Sequence, residues 1–289
     1  MAAAGAVQRL VRPLLSALAA CRCESEAEAW VVAGSAGALA LAAQLLLGLL
    51  LRAAGSGKVR SSAGFLAHQL ISLVFMVLLF VVGASHWLAG EHGATPAARV
   101  NAPNGVSRWL AAVALGELVI WDIPTGTVLV PELRDPLMLA HHVLMALVAG
   151  IGAVLLPSEY YLFYFGVVEL SSIPLAIVDV FHPKKLEELT KRSKALAMLN
   201  ELARISFVLL FMVVRAGMFP FVTVARLAPD VMHVLPTTPP GRQWELYVIL
   251  GSAAALTCLQ LYWTTLILRQ VAKMLSPPRP AKAETKKAA

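Results

Sequence analysis

The chain has 289 residues, of which 58% are hydrophobic and 14% are charged, and its formal net charge is +7. Soluble domains carry about 25% charged residues, so this composition excludes a soluble globular protein. It predicts an all-α membrane protein that crosses the bilayer about seven times. The basic residues cluster in short loops and in the tail, as expected beside the cytosolic membrane surface. The positive charge is therefore attributed to membrane orientation, and nucleic acid is excluded as a partner.

The sequence divides into four parts: a peripheral N-terminal segment (1–29), a first membrane span with its loop (30–59), a six-helix domain (60–270) and a disordered basic tail (271–289). Apolar residues at helical spacing between Val7 and Leu18 favour a short helix at the membrane interface. A signal peptide is the competing interpretation, because Arg9 and Arg12 precede an apolar stretch.

Apolar runs predict the membrane spans at about 30–51, 65–88, 106–130, 136–156, 160–180, 195–219 and 244–268. Pro124 is expected to bend the third span. Asp135 and Pro136 predict the N-cap and the first helical position of the fourth span. A charged surface helix is predicted over 183–194, and a proline-rich loop is predicted between the sixth and seventh spans.

The distribution of Lys and Arg favours one orientation. With the N-terminus outside, the seven alternating spans place 15 of these residues on the inner side and 7 on the outer side. This bias predicts a cytosolic C-terminus. The chain ends in Lys286-Lys287-Ala288-Ala289, which resembles the di-lysine signal that coat proteins recognise on endoplasmic reticulum membrane proteins. An ordinary basic tail attracted to anionic lipid is the alternative.

Several polar or ionisable side chains lie within the apolar spans: Glu117, Asp122, His141, His142, Glu169, Asn200, Arg204 and Arg215. A charged group at mid-bilayer costs roughly 2.5–3.5 kcal/mol or more. Such residues are tolerated mainly where they face a shared interior and meet each other or a substrate. The sequence therefore predicts a polar chamber inside the helical bundle.

The pair His141-His142, with Asp122, is the candidate catalytic set. A histidine acts as a general base, or as an acyl-accepting nucleophile, when an acidic partner orients it. The alternative is that one or both histidines only bond to backbone carbonyls in the bundle.

The candidate substrate-binding residues are Glu169, Asn200 and Arg215. On a regular helix, Arg204 and Arg215 differ by about 20° and share a face, with Asn200 near it. This polar stripe suits a phosphate or a carboxylate. An internal ion pair between an arginine and an embedded carboxylate is the alternative.

No metal site is predicted. Membrane di-iron enzymes need repeated His-x-x-x-His boxes, which the remaining histidines do not form. The three cysteines, Cys21, Cys23 and Cys258, are too few for a disulfide framework or a zinc site.

Taken in order, the polar positions resemble the TLC-domain family of ceramide synthases, translocating-chain-associated membrane proteins and smaller TLC-domain proteins of lipid homeostasis. The matching positions are Trp121-Asp122, His141-His142, the run 168–174, Asn200 and Arg215. The resemblance implies an endoplasmic reticulum bundle of six helices around a lipid-accepting cavity, here with an extra N-terminal span.

In the ceramide synthase branch, the His pair serves transfer of an acyl group from acyl-coenzyme A to a sphingoid base, without a further cofactor. That branch carries a second His-Asp pair on the following helix, where this chain has Glu169-Leu170-Ser171-Ser172. The departure places the chain nearer the smaller TLC-domain proteins.

Two functions are therefore expected as alternatives: an acyl-coenzyme A dependent lipid acyltransferase and a non-catalytic lipid-binding regulator of membrane composition. A helper for membrane-protein insertion is a third, weaker hypothesis. The expected partners are membrane lipid, acyl-coenzyme A and the coat proteins that would recognise Lys286 and Lys287. A second copy of the chain is a further candidate partner.

Overall fold

The computed structural model describes residues 20–90, 93–182 and 185–275. Within these ranges seven helices are long and apolar enough to cross a membrane. They are α1 (Glu26–Ala54), α2 (Ala63–Leu88), α3 (Gly105–Leu129), α4 (Pro136–Leu155), α5 (Tyr160–Val180), α6 (Lys194–Thr237) and α7 (Pro240–Met274). Shorter helices lie between them at Gly57–Ser61, Pro96–Asn101 and Glu187–Arg192. The prediction of an all-α multi-pass membrane protein is confirmed.

Polar residues fix the starts of several helices, because a side-chain oxygen satisfies a backbone N–H that has no partner within the helix. Ser25 accepts from the Glu28 N–H before α1, and Asn104 accepts from the Ser107 N–H before α3. Asp135 accepts from two N–H groups in the first turn of α4, which has proline at its first position. The predicted cap of the fourth span is therefore present.

Six of the helices form a closed ring in the order α2, α5, α6, α7, α4, α3, each packing against the next. Helix α1 packs outside this ring, against α2 and α3. The arrangement agrees with a six-helix bundle preceded by one additional span.

Glycines allow two of these helix contacts to be very close. A Cβ atom built on Gly83 of α2 would lie 2.4 Å from the Cα of Gly166 in α5, and one built on Gly116 of α3 would lie 1.9 Å from the carbonyl oxygen of Ala33 in α1. Small residues at helix contacts in membranes permit this approach of the backbones.

The two ends of the ring are filled differently. At one end the first turns of α5 place a cluster of aromatic residues in the centre of the bundle, including Tyr161, Phe163 and Phe165, each at most 2% exposed. At the other end, where α2, α4 and α6 begin, the centre of the ring holds a cavity.

The filled end is cross-linked by polar contacts. The Arg99 guanidinium donates to both carboxylate oxygens of Asp230 in α6, at 2.6 and 2.7 Å. The Tyr160 hydroxyl also donates to Asp230, at 2.5 Å. Arg99 lies outside the spans, and the hydrogen bond to Asp230 raises the pKa of its guanidinium. These contacts join the loop after α2 to α5 and α6.

The sixth span differs from its prediction. A proline-rich loop was expected soon after residue 219, but α6 continues to Thr237. Pro220 and Pro229 each stand in the first turn of a helical segment that follows a wider, π-helical turn. Proline is tolerated there because its missing N–H is not needed at the start of a segment.

The N-terminal boundary also differs. Helix α1 begins at Glu26, and Cys23 just before it is fully buried, with its N–H donating to the Gly105 carbonyl at 2.9 Å. Residues 20–25 are therefore docked on the bundle, and burial raises the pKa of the Cys23 thiol to about 11. The proposed interfacial helix or signal peptide lies outside the described residues.

At the other end of the chain, α7 extends to Met274, beyond the predicted tail boundary at 271. Of the predicted surface helix over 183–194, the segment Glu187–Arg192 is helical. The rest of the predicted tail, with Lys286 and Lys287, lies outside the described residues.

Candidate functional site

The cavity has a volume of about 800 Å³ and receives side chains from all six helices of the ring. Volumes of about 300–1,000 Å³ are typical of small-molecule sites. Most of its wall is apolar, with Met145, Phe207 and Phe211 among the lining residues. The polar lining includes the following side chains: His68, Gln69, Ser72, Glu117, Asp122, Thr127, Arg134, Asp135, His141, His142, Glu169, Ser172, Asp179 and Arg215.

Asp122 lies between two imidazoles. One carboxylate oxygen is 2.7 Å from Nε2 of His68 in α2, and the other contacts Nδ1 of His142 in α4. Because a carboxylate can only accept, this arrangement places the proton of His68 on Nε2 and that of His142 on Nδ1. Nε2 of His142 has no partner among the described residues, and in the neutral tautomer with its proton on Nδ1 this nitrogen carries the lone pair.

A wide helical turn presents Asp122 at this point. Residues Glu117–Asp122 form a π-helical turn, and a second one, Thr125–Leu129, follows directly after Pro124. Such turns in α-helices occur frequently at functional sites. π-helical turns therefore lie on both sides of Pro124, and the bend at this proline stays a prediction.

His141 occupies a different part of the cavity from His142, because neighbouring residues on a helix point about 100° apart. Its ring lies edge-on to Trp263 of α7, with the ring centroids 5.4 Å apart. Its Nδ1 atom is buried and has no hydrogen-bond partner among the described residues. Asp122 therefore orients His142 and not His141.

Arg215 reaches the cavity from α6. Its Nε donates to the Ser171 hydroxyl at 2.8 Å, and its Nη2 donates to the Ser172 hydroxyl at 2.7 Å. Both serines stand where α5 changes from a 3₁₀ turn to an α-helix. Among the described residues, no carboxylate lies within ion-pairing distance of this guanidinium, although Glu169 is near enough for its charge to act on it.

Asn200 does not join this group. It is buried, accepts from Nε of Arg204 at 3.3 Å and is not part of the cavity wall. The predicted shared face of Asn200 and Arg215 assumed a regular helix, whereas Phe211–Met218 forms π-helical turns that rotate Arg215 relative to the preceding residues. Of the three candidate substrate-binding residues, the structure brings Glu169 and Arg215 together in the cavity.

The residues that the cavity assembles come from one continuous homologous region. The family model described as the TLC domain matches residues 58–269, well over half of the chain. The chain belongs to the TLC-domain family. No curated protein and no solved structure is detectably similar to it.

The TLC domain contains one cavity residue that sequence reasoning missed. His68 was set aside because it forms no metal-binding box with another histidine. Its ring stacks on Trp121, with centroids 4.9 Å apart, and bonds to Asp122. The feature of the sequence that indicates a place for His68 in the cavity is its position in the second turn of α2. This turn lies at the same end of the bundle as the His141-His142 pair.

The cavity of the TLC domain opens at the end that carries the basic loops. Its wall there includes the exposed Arg134 and Asp135 in the turn between α3 and α4, together with the partly exposed apolar residues Met138 and Leu139 of α4 and Leu266 of α7. The rim therefore carries charges of both signs toward the loops and is apolar between α4 and α7.

A lysine from the segment between α5 and α6 contacts both the turn between α3 and α4 and the start of α2. Lys185 donates to the Glu132 carbonyl at 3.2 Å, and its Nζ lies 4.1 Å from the centroid of the Phe65 ring. Burial lowers the pKa of its ammonium group.

No group of His, Cys, Asp and Glu among the described residues is arranged to hold a metal ion. The arrangement at Asp122 offers other chemistry: an oriented neutral imidazole with a free basic nitrogen beside an apolar cavity. That geometry suits proton transfer to or from a lipid substrate.

Proposed function

We propose that this protein is a lipid acyltransferase of the endoplasmic reticulum membrane that uses acyl-coenzyme A as the donor. The observation that carries the proposal is the pairing of Asp122 with Nδ1 of His142, which leaves Nε2 of His142 free beside a lipid-sized, largely apolar cavity. Membership in a family with acyl-transferring members supports it.

In the proposed reaction, the amine or hydroxyl of a lipid acceptor attacks the carbonyl carbon of the thioester. Nε2 of His142 takes the proton that the acceptor loses, and Asp122 stabilises the imidazolium that forms. The carbon–sulfur bond then breaks, and the proton passes from His142 to the departing thiolate of coenzyme A. The acyl group ends on the acceptor, and His142 returns to its neutral form.

The two ends of the donor match different parts of the cavity. The exposed Arg134 at the rim is placed to meet the phosphates of coenzyme A, since guanidinium groups bind phosphate well. The apolar wall between α4 and α7 is placed to receive an acyl chain or an acceptor lipid from the bilayer. His141, whose ring lies edge-on to Trp263, lines the same cavity, and no catalytic step is assigned to it.

The first prediction concerns His142. Purified protein is incubated with labelled acyl-coenzyme A and a panel of amine and hydroxyl lipids, and label in lipid products is measured. His142→Ala is expected to lower the rate about 10²–10⁴-fold, the usual contribution of a general base. Asp122→Asn is expected to give a comparable loss, because it disturbs the tautomer of His142.

His233→Ala on the exposed face of α6 is the matched control and should retain full activity. Thermal melting and gel filtration of each variant establish that it is folded. Full transfer by a folded His142→Ala variant would contradict the catalytic assignment.

A non-catalytic lipid-binding regulator is the second candidate, and one observation favours it. Both oxygens of Asp122 are already bonded to imidazoles from α2 and α4, so the three side chains also tie these helices together. This candidate predicts lipid that co-purifies with the protein, identified by mass spectrometry, and no label transfer to any acceptor in the panel.

A further inference from the structure

The polar side chains of the cavity include a group that the acyl-transfer chemistry does not use. Asp122 and His142 carry the proposed proton transfer, and the His141 ring lies beside that of His142. Arg215, Glu169 and Glu117 line the same cavity. These three side chains have no role in proton transfer.

Only two of the three nitrogens of the Arg215 guanidinium form hydrogen bonds within the described part of the protein. Nε and Nη2 donate to the hydroxyls of Ser171 and Ser172, whereas Nη1 has no partner among the described residues and is not sealed from the cavity. Hydroxyls are neutral, so they hold the side chain in place without compensating its charge. A guanidinium is always charged in proteins, and buried charges are normally paired.

The two glutamates are also unused. Within the described residues, neither Glu117 nor Glu169 has a side-chain hydrogen-bond partner, and their carboxylate oxygens are accessible from the cavity. Both glutamates and Asp122 line the same cavity. Acidic groups that share a low-dielectric interior repel each other when ionised, and a cation bound between them favours their ionised forms.

A ligand of one charge does not match this arrangement. A purely anionic headgroup would bind Arg215 and meet the glutamates, and a purely cationic headgroup would bind the glutamates and meet Arg215. The arrangement has two poles: Arg215 is the positive pole, and Glu117 with Glu169 is the negative pole. A headgroup with both charges satisfies both, because its anion binds Nη1 of Arg215 while its ammonium group binds the two glutamates.

We propose that Arg215, Glu117 and Glu169 form a subsite for a zwitterionic lipid headgroup, with a phosphate or carboxylate at Arg215 and an ammonium group at the two glutamates. The adjoining apolar wall, which includes Phe207, Phe211 and Leu175, takes the acyl chains. This inference deepens the proposed function by naming the lipid class, and it rests on that function for the statement that the cavity takes a lipid.

Direct binding tests the subsite without any acyl donor. Delipidated protein in detergent is titrated with phosphatidylethanolamine and phosphatidylcholine as zwitterions, phosphatidylglycerol as an anion, sphinganine as a cation and diacylglycerol as a neutral lipid. Native mass spectrometry measures the bound fraction. The zwitterionic lipids are expected to bind at least about tenfold more tightly than the other three, because only they place an anion at Arg215 and a cation at the two glutamates.

Variants at the two poles should shift this preference in opposite directions. Arg215→Gln is expected to move it toward sphinganine, and the double variant Glu117→Gln/Glu169→Gln is expected to move it toward phosphatidylglycerol. The matched controls are Arg226→Gln and Glu201→Gln on the exposed face of α6, which should keep the wild-type order. Phosphatidylethanolamine and phosphatidylcholine distinguish a primary ammonium from a quaternary one at the glutamate pole.

The proposal would be overturned if the wild type bound sphinganine or phosphatidylglycerol most tightly. It would also be overturned if the folded variants at either pole kept the wild-type order of lipid affinities. Its failure is distinct from failure of acyl transfer. A wild-type protein that prefers zwitterionic lipids but transfers no label supports the subsite and contradicts acyl transfer, whereas label transfer without that preference does the reverse.

Discussion

Asp122 has two neighbours with different roles in the proposed chemistry. His142 faces the cavity with a free nitrogen, whereas the His68 ring lies against Trp121 and directs its Nε2–H to the carboxylate. The Ser72 hydroxyl stands 3.5 Å from Nδ1 of His68, at the outer limit of a hydrogen bond. His68 is therefore a positioning residue, which fixes the carboxylate that in turn orients His142.

His68→Ala should lower activity by about 10- to 100-fold, less than the loss at His142, and should lower stability by about 1–3 kcal/mol, because Asp122 loses one charged hydrogen bond. His68→Gln offers an N–H at a similar distance and should restore part of both losses. Label transfer and thermal melting give the two readouts. His86→Ala, at the opposite end of the same helix, serves as the control. A loss at His68→Ala equal to that at His142→Ala would assign His68 a direct catalytic role.

Part of the site could be predicted from single residues. Asp122 lies near the end of one predicted span and His142 near the start of the next, so a short connection had to bring them close. His68 could not be placed in the same way, because 54 residues separate it from Asp122 in the sequence. That contact depends on which helices become neighbours in the ring, and the composition of the spans does not contain this information.

At the scale of helices, the contact between α2 and α5 depends on two glycines that face each other. Because Gly83 and Gly166 lie almost in backbone contact, any side chain at either position must separate the helices. Both helices line the cavity, so a displacement here also moves His68 relative to Glu169.

Gly83→Val is expected to destabilise the protein by about 1–3 kcal/mol or more, the usual cost of overpacking. The measurement is the thermal midpoint in detergent together with the yield of monodisperse protein. Gly251→Val in α7 is the control, since a Cβ there meets nothing within 4 Å. Equal midpoints for Gly83→Val and the wild type would mean that the two helices are less closely packed than described.

The existence of each membrane helix could be predicted from the length of its apolar run. The π-helical turns within these helices could not be predicted in this way. The fifth span was predicted with the bounds it has, because Pro157 and the charged stretch after Val180 delimit it. The sixth span was predicted to end too early, because prolines usually end helices. Its π-helical turns accommodate Pro220 and Pro229, and they also explain why Asn200 and Arg215 do not share a face.

At the scale of the whole molecule, the basic loops and the cavity lie at the same end of the bundle. The positive-inside rule predicts that this end faces the cytosol, where the acyl-coenzyme A of the proposed reaction is soluble. The prediction that Lys286 and Lys287 act as a di-lysine signal on a cytosolic tail can be tested in cells.

Replacing Lys286 and Lys287 by serine should move a tagged protein from the endoplasmic reticulum to later compartments, because coat proteins would no longer recognise the tail. Fluorescence microscopy in intact cells shows the compartment, and protease protection of the tag reports on which side the tail lies. Replacement of Lys282 by serine controls for the loss of positive charge alone. Retention of the double variant in the endoplasmic reticulum would exclude this signal as the cause of localisation.

The contrast between the two ends of the ring has a mechanical consequence. Aromatic packing and the Arg99–Asp230–Tyr160 contacts fill and join one end, whereas the helices surround the cavity at the other end. We therefore expect the helices to move more at the cavity rim than at the filled end. Small changes in helix tilt would adjust the width of the rim, while the crossing of Gly83 and Gly166 keeps its register.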